Sequence, residues 1–269
     1  MAELEHLLAV AERAALRGGE VVRAGLGTAE AGTKGAGDYV TEVDRASERT
    51  IGEVLAEGAP GVPMLGEEGG GAGGGARGER YWVVDPLDGT TNFLHGFPAV
   101  GVSVALVAGG VPVVGVVHSP FLGETSVAVR GGGAWIRRPG RESARLRVSD
   151  RPPERAVVGT GFPFRRKDLL PRYLRTFQGA LRRFEDLRRP GAAALDLAWV
   201  AAGVFDGFFE LALSPWDVAA GALLIEEAGG VVTDWDGGPG YLSGDILAGP
   251  PAVHAELLEL VDPGDLSGA

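Results

Sequence analysis

One stretch of this chain limits the possible folds more than any other: residues 98–117 carry no charged side chain. A run of this length is long enough to span a membrane as a helix. However, Ala-Gly-Gly-Val-Pro at 108–112 interrupts it with residues that favour a turn. The parts on either side, residues 100–107 and 113–117, are rich in valine, which favours strands. The pattern therefore predicts two buried strands joined by a tight turn, and no membrane-spanning helix.

Hydrophobic periodicity in the rest of the chain predicts two kinds of organisation. Residues up to about 25 have apolar side chains at helical spacing, and a second helix is predicted from the N-cap residue Thr41 to about Glu57. Together with the strands that follow, these helices predict an α-helical layer packed on an antiparallel sheet. After a change in composition near residues 145–156, strands and helices alternate. We therefore expect an N-terminal α+β domain of residues 1–145 and a C-terminal α/β domain of residues 146–269.

Two glycine-rich segments are predicted to be loops. Residues 27–39 combine glycine with small and polar residues, which favour irregular structure. Residues 69–75 consist of six glycines and one alanine, so they offer no side chains that could pack against a core. Neither segment contains a hydrophobic pattern typical of a helix or a strand.

The composition excludes several classes of function. The formal net charge is −11, so the chain as a whole repels nucleic acids, anionic membranes and phosphorylated ligands. There is no cysteine, which excludes disulfides, zinc–thiolate sites and thiol nucleophiles. The first residues lack the basic and apolar segments of a signal peptide. We therefore expect a cytoplasmic protein that does not bind membranes, in which any phosphate site needs cations of its own.

One region departs from this acidic balance. Residues 165–189 are rich in arginine, and a solvated face or a contact between subunits is the interpretation that charge alone supports. A surface that binds RNA or another protein is the alternative, and it defines a competing hypothesis of a non-catalytic binding partner. Because the chain as a whole is acidic, we do not expect nucleic acid to be its ligand.

The sequence Trp-Val-Val-Asp-Pro-Leu-Asp-Gly-Thr-Thr-Asn-Phe at 82–93 places two carboxylates where an apolar strand ends. Asp85 and Asp88 are three positions apart across a turn that Pro86 stiffens, so their side chains can converge. Gly89 permits close backbone approach, and a helix beginning here would direct free N–H groups at an anion. Carboxylates and anion-binding groups are compatible if a divalent cation such as Mg²⁺ lies between them. A β-turn whose aspartates bind their own backbone explains the segment equally well.

Three further acidic residues lie in local patterns of the same kind. Glu67 ends another predicted strand, whereas Asp44 and Asp217 each lie at the third position of a predicted helix. Reciprocal bonds with the N-cap residue account for Asp44 and Asp217 without any catalytic role. The Leu-Asp-Gly-Thr motif also resembles that of haloacid dehalogenase phosphatases. However, Pro86 occupies the position of their nucleophilic aspartate, which excludes a phosphoaspartate mechanism.

These motifs occur together in a recognisable order. The chain contains Gly-Glu-Glu at 66–68, the stretch at 82–93, a block at 191–210 and Pro-Trp-Asp-Val-Ala-Ala-Gly at 215–221. In this order they resemble the inositol monophosphatase family over nearly the whole chain. The resemblance implies a layered αβαβα sandwich, combining an α+β and an α/β domain, that is usually dimeric. It also implies Mg²⁺-dependent, often lithium-sensitive hydrolysis of phosphate monoesters by direct in-line attack of metal-activated water.

The resemblance also implies a role for each position that matches the family's motifs. Two or three Mg²⁺ ions would be held by the carboxylates of Glu67, Asp85, Asp88 and Asp217 and by the carbonyl of Leu87. The catalytic residues, which include those that orient the attacking water, would be Glu67, Asp44 and Thr90. The substrate contacts would come from Asp88, Gly89, Thr90, Arg188, Ala193, Glu210 and Asp217.

The substrate itself stays open. Inositol monophosphate, or a related polyol or sugar phosphate, is the leading expectation. Fructose 1,6-bisphosphate, histidinol phosphate and 3′-phosphoadenosine nucleotides are alternatives on the same scaffold. Ala192 stands where the family commonly has a serine or threonine, so one hydroxyl contact is absent. The matched substrate blocks show no obvious extra basic residues, which favours a monophosphate.

Overall fold

The computed structural model describes residues 1–27, 32–35, 38–69 and 79–261, with only the backbone described for residues 32–35 and 38–40. The predicted loop at 69–75 therefore lies outside the described residues, except for Gly69. The other predicted loop contains a short antiparallel pair of strands, β1 (Gly32–Gly35) and β2 (Asp38–Val40). The sequence pattern missed this pair because its glycines and polar residues have little strand propensity of their own.

A seven-stranded sheet takes up most of the first half of the chain. Its first two strands are parallel and the other neighbours are antiparallel. In spatial order, which is also chain order, the strands are β3 (Met64–Gly66), β4 (Arg80–Asp88), β5 (Gly101–Ala108), β6 (Val111–Ser119), β7 (Glu124–Val129), β8 (Gly133–Arg137) and β9 (Ala144–Arg145). The uncharged run of the sequence forms β5 and β6 with a two-residue turn between them, as predicted. Throughout the described ranges, no helix combines the length and the apolar character that crossing a membrane requires.

Two long helices cover one face of this sheet. These are α1 (Ala2–Gly25) and α2 (Glu42–Gly58), whose apolar sides bury Leu7, Val10 and Ile51 against the sheet. The N-cap of α2 is Thr41, as the sequence indicated: its hydroxyl accepts the N–H of Val43 at 3.1 Å. Helical spacing of apolar residues was therefore a sufficient signal for this layer.

The second half of the chain supplies a five-stranded sheet with mixed strand directions. Strand β10 is parallel to β11 and β12, whereas β14 is antiparallel to β12 and β13. In spatial order the strands are β11 (Asp186–Arg188), β10 (Val157–Thr160), β12 (Gly207–Glu210), β14 (Ile246–Gly249) and β13 (Val231–Thr233). The sequence did not indicate β9 and β11, because two or three residues are too few to show a period of two.

The helices of this half lie on both sides of the second sheet. They are α4 (Leu170–Arg183), α5 (Ala193–Ala201), α6 (Pro215–Glu227) and α7 (Pro251–Leu260). The remaining helix, the short α3 (Thr90–Leu94), belongs to the first half of the chain and follows β4. Single 3-10 turns occur at Pro153–Arg155, Lys167–Leu169 and Tyr241–Ser243. Helices α4 and α7 pack on the outer face, whereas α5 and α6 lie between the two sheets.

The result is the five-layer αβαβα sandwich expected from the sequence, in the order α1/α2, seven-stranded sheet, α5/α6, five-stranded sheet, α4/α7. The central helices approach the first sheet closely, since a Cβ at Gly115 of β6 would lie 2.9 Å from the carbonyl oxygen of Ala220. The first sheet ends at Arg145 and the second begins at Val157. The division into domains at residues 145 and 146 stays a prediction, because one apolar core joins both sheets through α5 and α6.

Candidate functional site

Three aspartates from two halves of the chain meet where β4 ends and α6 begins. The side-chain oxygens of Asp85, Asp88 and Asp217 lie within 4.8 Å of one another, and the residues are only 1, 8 and 9 % exposed. The hydroxyl of Ser103 on β5 donates a 2.9 Å hydrogen bond to the carbonyl of Trp216, which fixes the first turn of α6 against the first sheet. The site therefore depends on the packing of α6 on that sheet.

Each of the three carboxylates has one oxygen held by a backbone N–H group. Leu87 donates to Asp85 at 2.9 Å, Ala194 donates to Asp88 at 2.8 Å, and Ser214 donates to Asp217 at 2.7 Å. The bonds of Asp85 and Asp217 are the turn and capping bonds that local sequence predicts. Local bonds do not account for the convergence of all three side chains, which is a property of the fold.

The electrostatics of this cluster suit a cation. Burial raises the pKa of Asp85 well above its usual range, and the charges of Glu67, Asp88 and Asp217 raise it further. Burial, followed by the charge of Asp217, raises the pKa of Asp88 to about 8, although backbone N–H groups of α5 oppose the shift. Buried carboxylates that repel one another are stabilised in their charged form by a cation between them. Because all the ligand atoms are oxygens, the donor set fits Mg²⁺ or a similar hard cation.

A second group of polar side chains adjoins the cluster. Thr90 Oγ1 donates to Asp44 Oδ1 at 3.1 Å and lies 3.3 Å from the carbonyl oxygen of Leu87. Asp44 is 1 % exposed and also accepts the backbone N–H of Thr41 at 2.8 Å, so the capping arrangement of α2 holds it in place. Burial raises the pKa of Asp44 despite these hydrogen bonds. A single residue thus serves a helix cap and contacts Thr90, which lines the site.

Gly89 links the cluster to α3 in a conformation that glycine alone adopts readily. Its φ is +89°, and a Cβ there would lie 2.9 Å from the carbonyl oxygen of Ala99. The chain therefore turns sharply after Asp88 and starts α3 at Thr90. The sequence predicted this close approach from the glycine itself.

A cavity of about 310 Å³ lies in front of the cluster. Of the predicted site residues, the structure brings nine to its lining: Glu67, Asp85, Leu87, Asp88, Gly89, Thr90, Ala193, Glu210 and Asp217. Asp44 lies behind Thr90 and does not line the cavity within the described part of the chain. Arg188 also lies away from the lining, and its guanidinium pairs with the carboxylate of Asp186 at 2.5 Å.

Another part of the lining, which we call the cationic end of the cavity, carries arginines and aromatic rings that the sequence did not predict. Arg165, Arg166 and Arg189 line it together with Phe162 and Phe164. The guanidinium carbon of Arg189 lies 5.3 Å from the centroid of each phenylalanine ring. The sequence drew attention to the arginine-rich region but favoured a solvated or subunit-contact face. A possible signal was the position of Arg189, two residues before the block at 191–210 that resembles the family.

Glu210 interacts electrostatically with both the acidic cluster and the cationic end. It is the last residue of β12, and a Cβ at Gly161 would lie within 1.9–2.1 Å of its carboxylate. The carboxylate therefore occupies space that only a glycine leaves open. Burial raises the pKa of Glu210 to about 8; the charge of Asp217 adds to this shift, whereas Arg189 opposes it.

Comparison with known proteins identifies the family to which this chain is related. The model of the inositol monophosphatase family matches residues 3–263. The Nus factor SuhB of Pseudomonas aeruginosa is 46% identical over 97% of both chains. The inositol-1-monophosphatase of Mesorhizobium japonicum is 42% identical over 95% of this chain and 96% of that protein. The solved structure of the inositol monophosphatase of Anabaena superposes with a TM-score of 0.84 at 37% identity, covering 99% of this chain and 100% of the other. A family match over nearly the whole length, relatives above 40% identity and the shared five-layer sandwich agree that this chain belongs to the inositol monophosphatase family.

Proposed function

We propose that the protein is a Mg²⁺-dependent phosphatase that hydrolyses the phosphate monoester of a small polyol or sugar. The observation that carries the proposal is the convergence of Asp85, Asp88 and Asp217, three buried carboxylates whose charged forms require a cation. Membership of the inositol monophosphatase family supports it. An acidic protein with a net charge of −11 also needs a cation to bind a phosphate.

The proposed ligands of two or three Mg²⁺ ions are Glu67, Asp85, Asp88, Asp217 and the carbonyl oxygen of Leu87. When bound, the metal would neutralise the phosphate and stabilise the charge that develops on the leaving oxygen. The chain's part is to hold the carboxylates rigidly, and the backbone N–H groups bound to Asp85, Asp88 and Asp217 serve that purpose. Such bonds also favour the ionised form that a metal ligand needs.

The proposed catalytic work of the protein lies with Glu67, Thr90 and Asp44. The hydroxyl of Thr90 donates a hydrogen bond to Asp44, and this bond fixes the orientation of the hydroxyl. The lone pairs of the hydroxyl oxygen therefore point in one fixed direction. A water held there would be directed in line at the phosphorus, which lowers the entropic cost of the attack. The N–H groups of Gly89 and Thr90 are the proposed donors to the phosphate oxygens.

For the rest of the substrate we propose contacts with Glu210 and the backbone of Ala193. A carboxylate such as that of Glu210 accepts hydrogen bonds from hydroxyl groups, which suits inositol monophosphate or another polyol or sugar phosphate. Fructose 1,6-bisphosphate, histidinol phosphate and 3′-phosphoadenosine nucleotides are the alternatives. We further propose that the protein is inhibited by lithium, forms a homodimer and is located in the cytoplasm. The division into two domains at residues 145 and 146 is also part of the proposal.

The test is phosphate release from these four substrates with Mg²⁺ and with a chelator. We expect Mg²⁺-dependent release from at least one of them. Asp88→Asn should reduce it at least about 100-fold, because the variant loses one ligand charge in a buried site. Asp150→Asn changes an exposed aspartate in the same way and should have no effect. Release that survives the chelator, or full activity of Asp88→Asn, would disprove the proposal.

A second candidate function is a binding role that does not depend on catalysis. Several curated relatives that are 41–46% identical are named Nus factor SuhB, and that name describes a factor rather than an enzyme. On this chain the candidate surface is the exposed side of α4, where Arg182 and Arg183 lie in the last turn. The overall acidic charge does not favour RNA as the ligand.

The two candidates are separated by charge-neutralising variants on α4. If the arginine surface binds RNA or a protein, a double Arg182→Gln and Arg183→Gln variant should lose that binding and retain phosphatase activity. Binding of RNA that persists in the double variant would exclude this surface.

A further inference from the structure

We propose that Asp245 is a positioning residue for the substrate, and that it acts through the turn of residues 211–213, which it holds in a strained conformation. This turn lines the cavity and runs from Glu210, at the end of β12, to the start of α6. The inference rests on the proposed function, because the group that the turn would help to place is the polyol or sugar part of the phosphate monoester.

Ala212 lies in the middle of this turn in a conformation that residues with a side chain rarely adopt. Its φ is +60°, and no other non-glycine residue in the described ranges has a positive φ. The left-handed conformation brings a Cβ close to the following carbonyl, so it costs free energy and persists only where the surroundings enforce it. Strain of this kind is concentrated at functional sites, and Ala212 lines the cavity together with Leu211 and Leu213.

The loop before β14 enforces this conformation through two hydrogen bonds. Asp245 Oδ1 accepts the N–H of Ala212 at 2.9 Å, and the carbonyl of Gly244 accepts the N–H of Leu213 at 3.0 Å. The two loops also touch through their backbones, since a Cβ at Gly244 would lie 1.8 Å from the carbonyl oxygen of Leu213. A carboxylate accepts stronger hydrogen bonds than a neutral carbonyl does, so Asp245 is the stronger of the two restraints.

Asp245 is itself placed by its surroundings. It precedes Ile246, which pairs with Glu210 where β14 meets β12. Its other oxygen, Oδ2, lies 4.0 Å from Arg172 Nη1, and that guanidinium lies over the ring of Trp235 at 5.1 Å. Trp235 Nε1 in turn donates to the carbonyl of Glu210 at 2.9 Å. Asp245 therefore belongs to the group of contacts that holds Glu210, the proposed acceptor for hydroxyl groups of the substrate.

The position of the turn should matter more for the substrate than for the metal. Where the turn ends, Ser214 and Asp217 form reciprocal capping bonds, and the first turn of α6 is fixed to the first sheet. Asp217 thus has restraints of its own. Without Asp245, Ala212 would relax toward a negative φ and displace this part of the cavity wall, while the carboxylates of the metal cluster stay in place.

A purely structural role for Asp245 would follow from the same contacts: the residue would stabilise the fold and leave binding unaffected. The two roles differ in whether substrate affinity changes together with stability. Glu227 offers the matched control, because its carboxylate accepts the N–H groups of Gly131 and Gly133, at 2.7 and 2.8 Å, in a turn outside the cavity lining. Glu227→Ala should lower the Tm without changing the affinity for the substrate.

The test measures binding by titration calorimetry in Ca²⁺, with inositol 1-phosphate and inorganic phosphate as probes. Asp245→Ala should weaken the binding of inositol 1-phosphate about 10-fold, the equivalent of one hydrogen bond, and that of inorganic phosphate less than about 2-fold. Asp245→Asn keeps an oxygen that can accept the N–H of Ala212, so it should retain most of the affinity. In Mg²⁺ the KM of Asp245→Ala should rise by the same factor, with kcat nearly unchanged.

A double variant decides whether Asp245 acts through the turn. Glycine adopts a left-handed conformation without strain, so a glycine at position 212 no longer needs the restraint. In an Ala212→Gly background, Asp245→Ala should therefore weaken the binding of inositol 1-phosphate less than about 2-fold. Thermal melting shows whether each variant is folded. If Asp245→Ala is not, Asp245→Ser, whose side chain is too short to reach the N–H of Ala212, takes its place in both backgrounds.

Unchanged binding of inositol 1-phosphate in Asp245→Ala, or equal weakening of both probes, would overturn the proposal. A loss of the same size in the Ala212→Gly background would overturn it as well. Mg²⁺-dependent phosphate release is measured separately. Hydrolysis with equal KM in wild type and Asp245→Ala would refute the inference and leave the proposed function standing. Binding that depends on Asp245 without any hydrolysis would do the reverse, and a wild type that shows neither would refute both.

Discussion

The two ends of the cavity differ in how the chain holds its functional groups. At the acidic end, Asp85 is 1 % exposed and each aspartate of the cluster is bound to a backbone N–H. At the cationic end, Phe164 is 51 % exposed and Arg189 is held by contacts with side chains. Hydrogen bonds from the backbone hold a carboxylate in the precise position that catalysis requires, whereas the side chain of a stacked arginine keeps some freedom of movement.

This difference indicates which part of the cavity determines the reaction and which part determines the choice of substrate. The acidic end is built from the end of β4, the start of α6 and the start of α5, which are rigid elements of the sandwich. The cationic end is built from the segments that follow β10 and β11. Changes in such connecting segments alter what binds without disturbing the core. We therefore expect substitutions at the acidic end to reduce turnover, and substitutions at the cationic end to change the choice of substrate.

The largest effect is expected from Thr90→Val at the acidic end. Valine has nearly the same shape as threonine but cannot donate to Asp44, so the bond of 3.1 Å is lost. Under the proposed function, kcat should fall about 100-fold, as for the loss of a positioned proton-transfer group. Thr90→Ser keeps the hydroxyl and should retain most of the activity. If Thr90→Val and Thr90→Ser had the same kcat, the Thr90–Asp44 pair would not take part in the reaction.

A substitution that affects both ends at once is Asn92→Ala. Asn92 Nδ2 donates to the carbonyl of Ala99 at 2.8 Å and to that of Pro190 at 2.9 Å. It thus joins α3, next to the carboxylates, to the segment that carries Arg189. Loss of both bonds should lower the free energy of unfolding by about 1–3 kcal/mol. Each kcal/mol corresponds to about 2–4 °C in Tm for a chain of this size class.

The chain's other side-chain amide offers the control for this substitution. Gln178 lies exposed on α4, so Gln178→Ala should leave the Tm within about 1 °C of wild type. An unchanged Tm in Asn92→Ala would show that the two ends are held independently of each other.

The same contrast explains what the sequence could predict. The acidic residues lie in local motifs whose geometry is short-range: a turn at 85–89 and helix starts before Asp44 and Asp217. Their convergence on one cluster came from the family resemblance, because packing of α6 on the first sheet is not visible in local spacing. Arg189 depends on a positive φ at Gly191 and on two rings from another segment, so neither motif nor periodicity indicated it.

A similar limit applies to the fold. Long helices and valine-rich strands follow from periodicity, and the five layers followed from the resemblance. The pair β1–β2 and the short strands β9 and β11 form because a neighbouring strand supplies hydrogen-bond partners. Such pairing is a tertiary property, and it overrides weak local propensity.

A smaller effect, which acts through Glu210, is expected from Gly161→Ala. The added Cβ would displace the carboxylate of Glu210, which can move because it is the end of a side chain. Under the proposed function, KM for a polyol phosphate should rise about 10-fold, the equivalent of one hydrogen bond, with kcat nearly unchanged. Gly52→Ala, where the nearest side-chain atom would be 3.3 Å away, is the control and should leave KM unaltered. A fall in kcat with constant KM would place Glu210 in the chemical step.

The smallest effect is a change in how stability depends on pH. Since the pKa of Glu210 is raised from 4.5 to about 8, the folded protein keeps a proton that the unfolded chain releases. The free energy of unfolding therefore decreases as the pH rises between these two values. In metal-free protein, Glu210→Gln should show a shallower decrease between pH 5 and pH 8 by chemical denaturation. Glu185→Gln, at an exposed glutamate paired with Arg155, should follow the wild type.

Arg189→Gln should have the opposite effect to Glu210→Gln. Because the charge of Arg189 opposes the rise in the pKa of Glu210, its removal should make the free energy of unfolding decrease more steeply with pH. Identical slopes in all four proteins would mean that the cationic end does not act on Glu210, and the two ends would then be electrostatically independent.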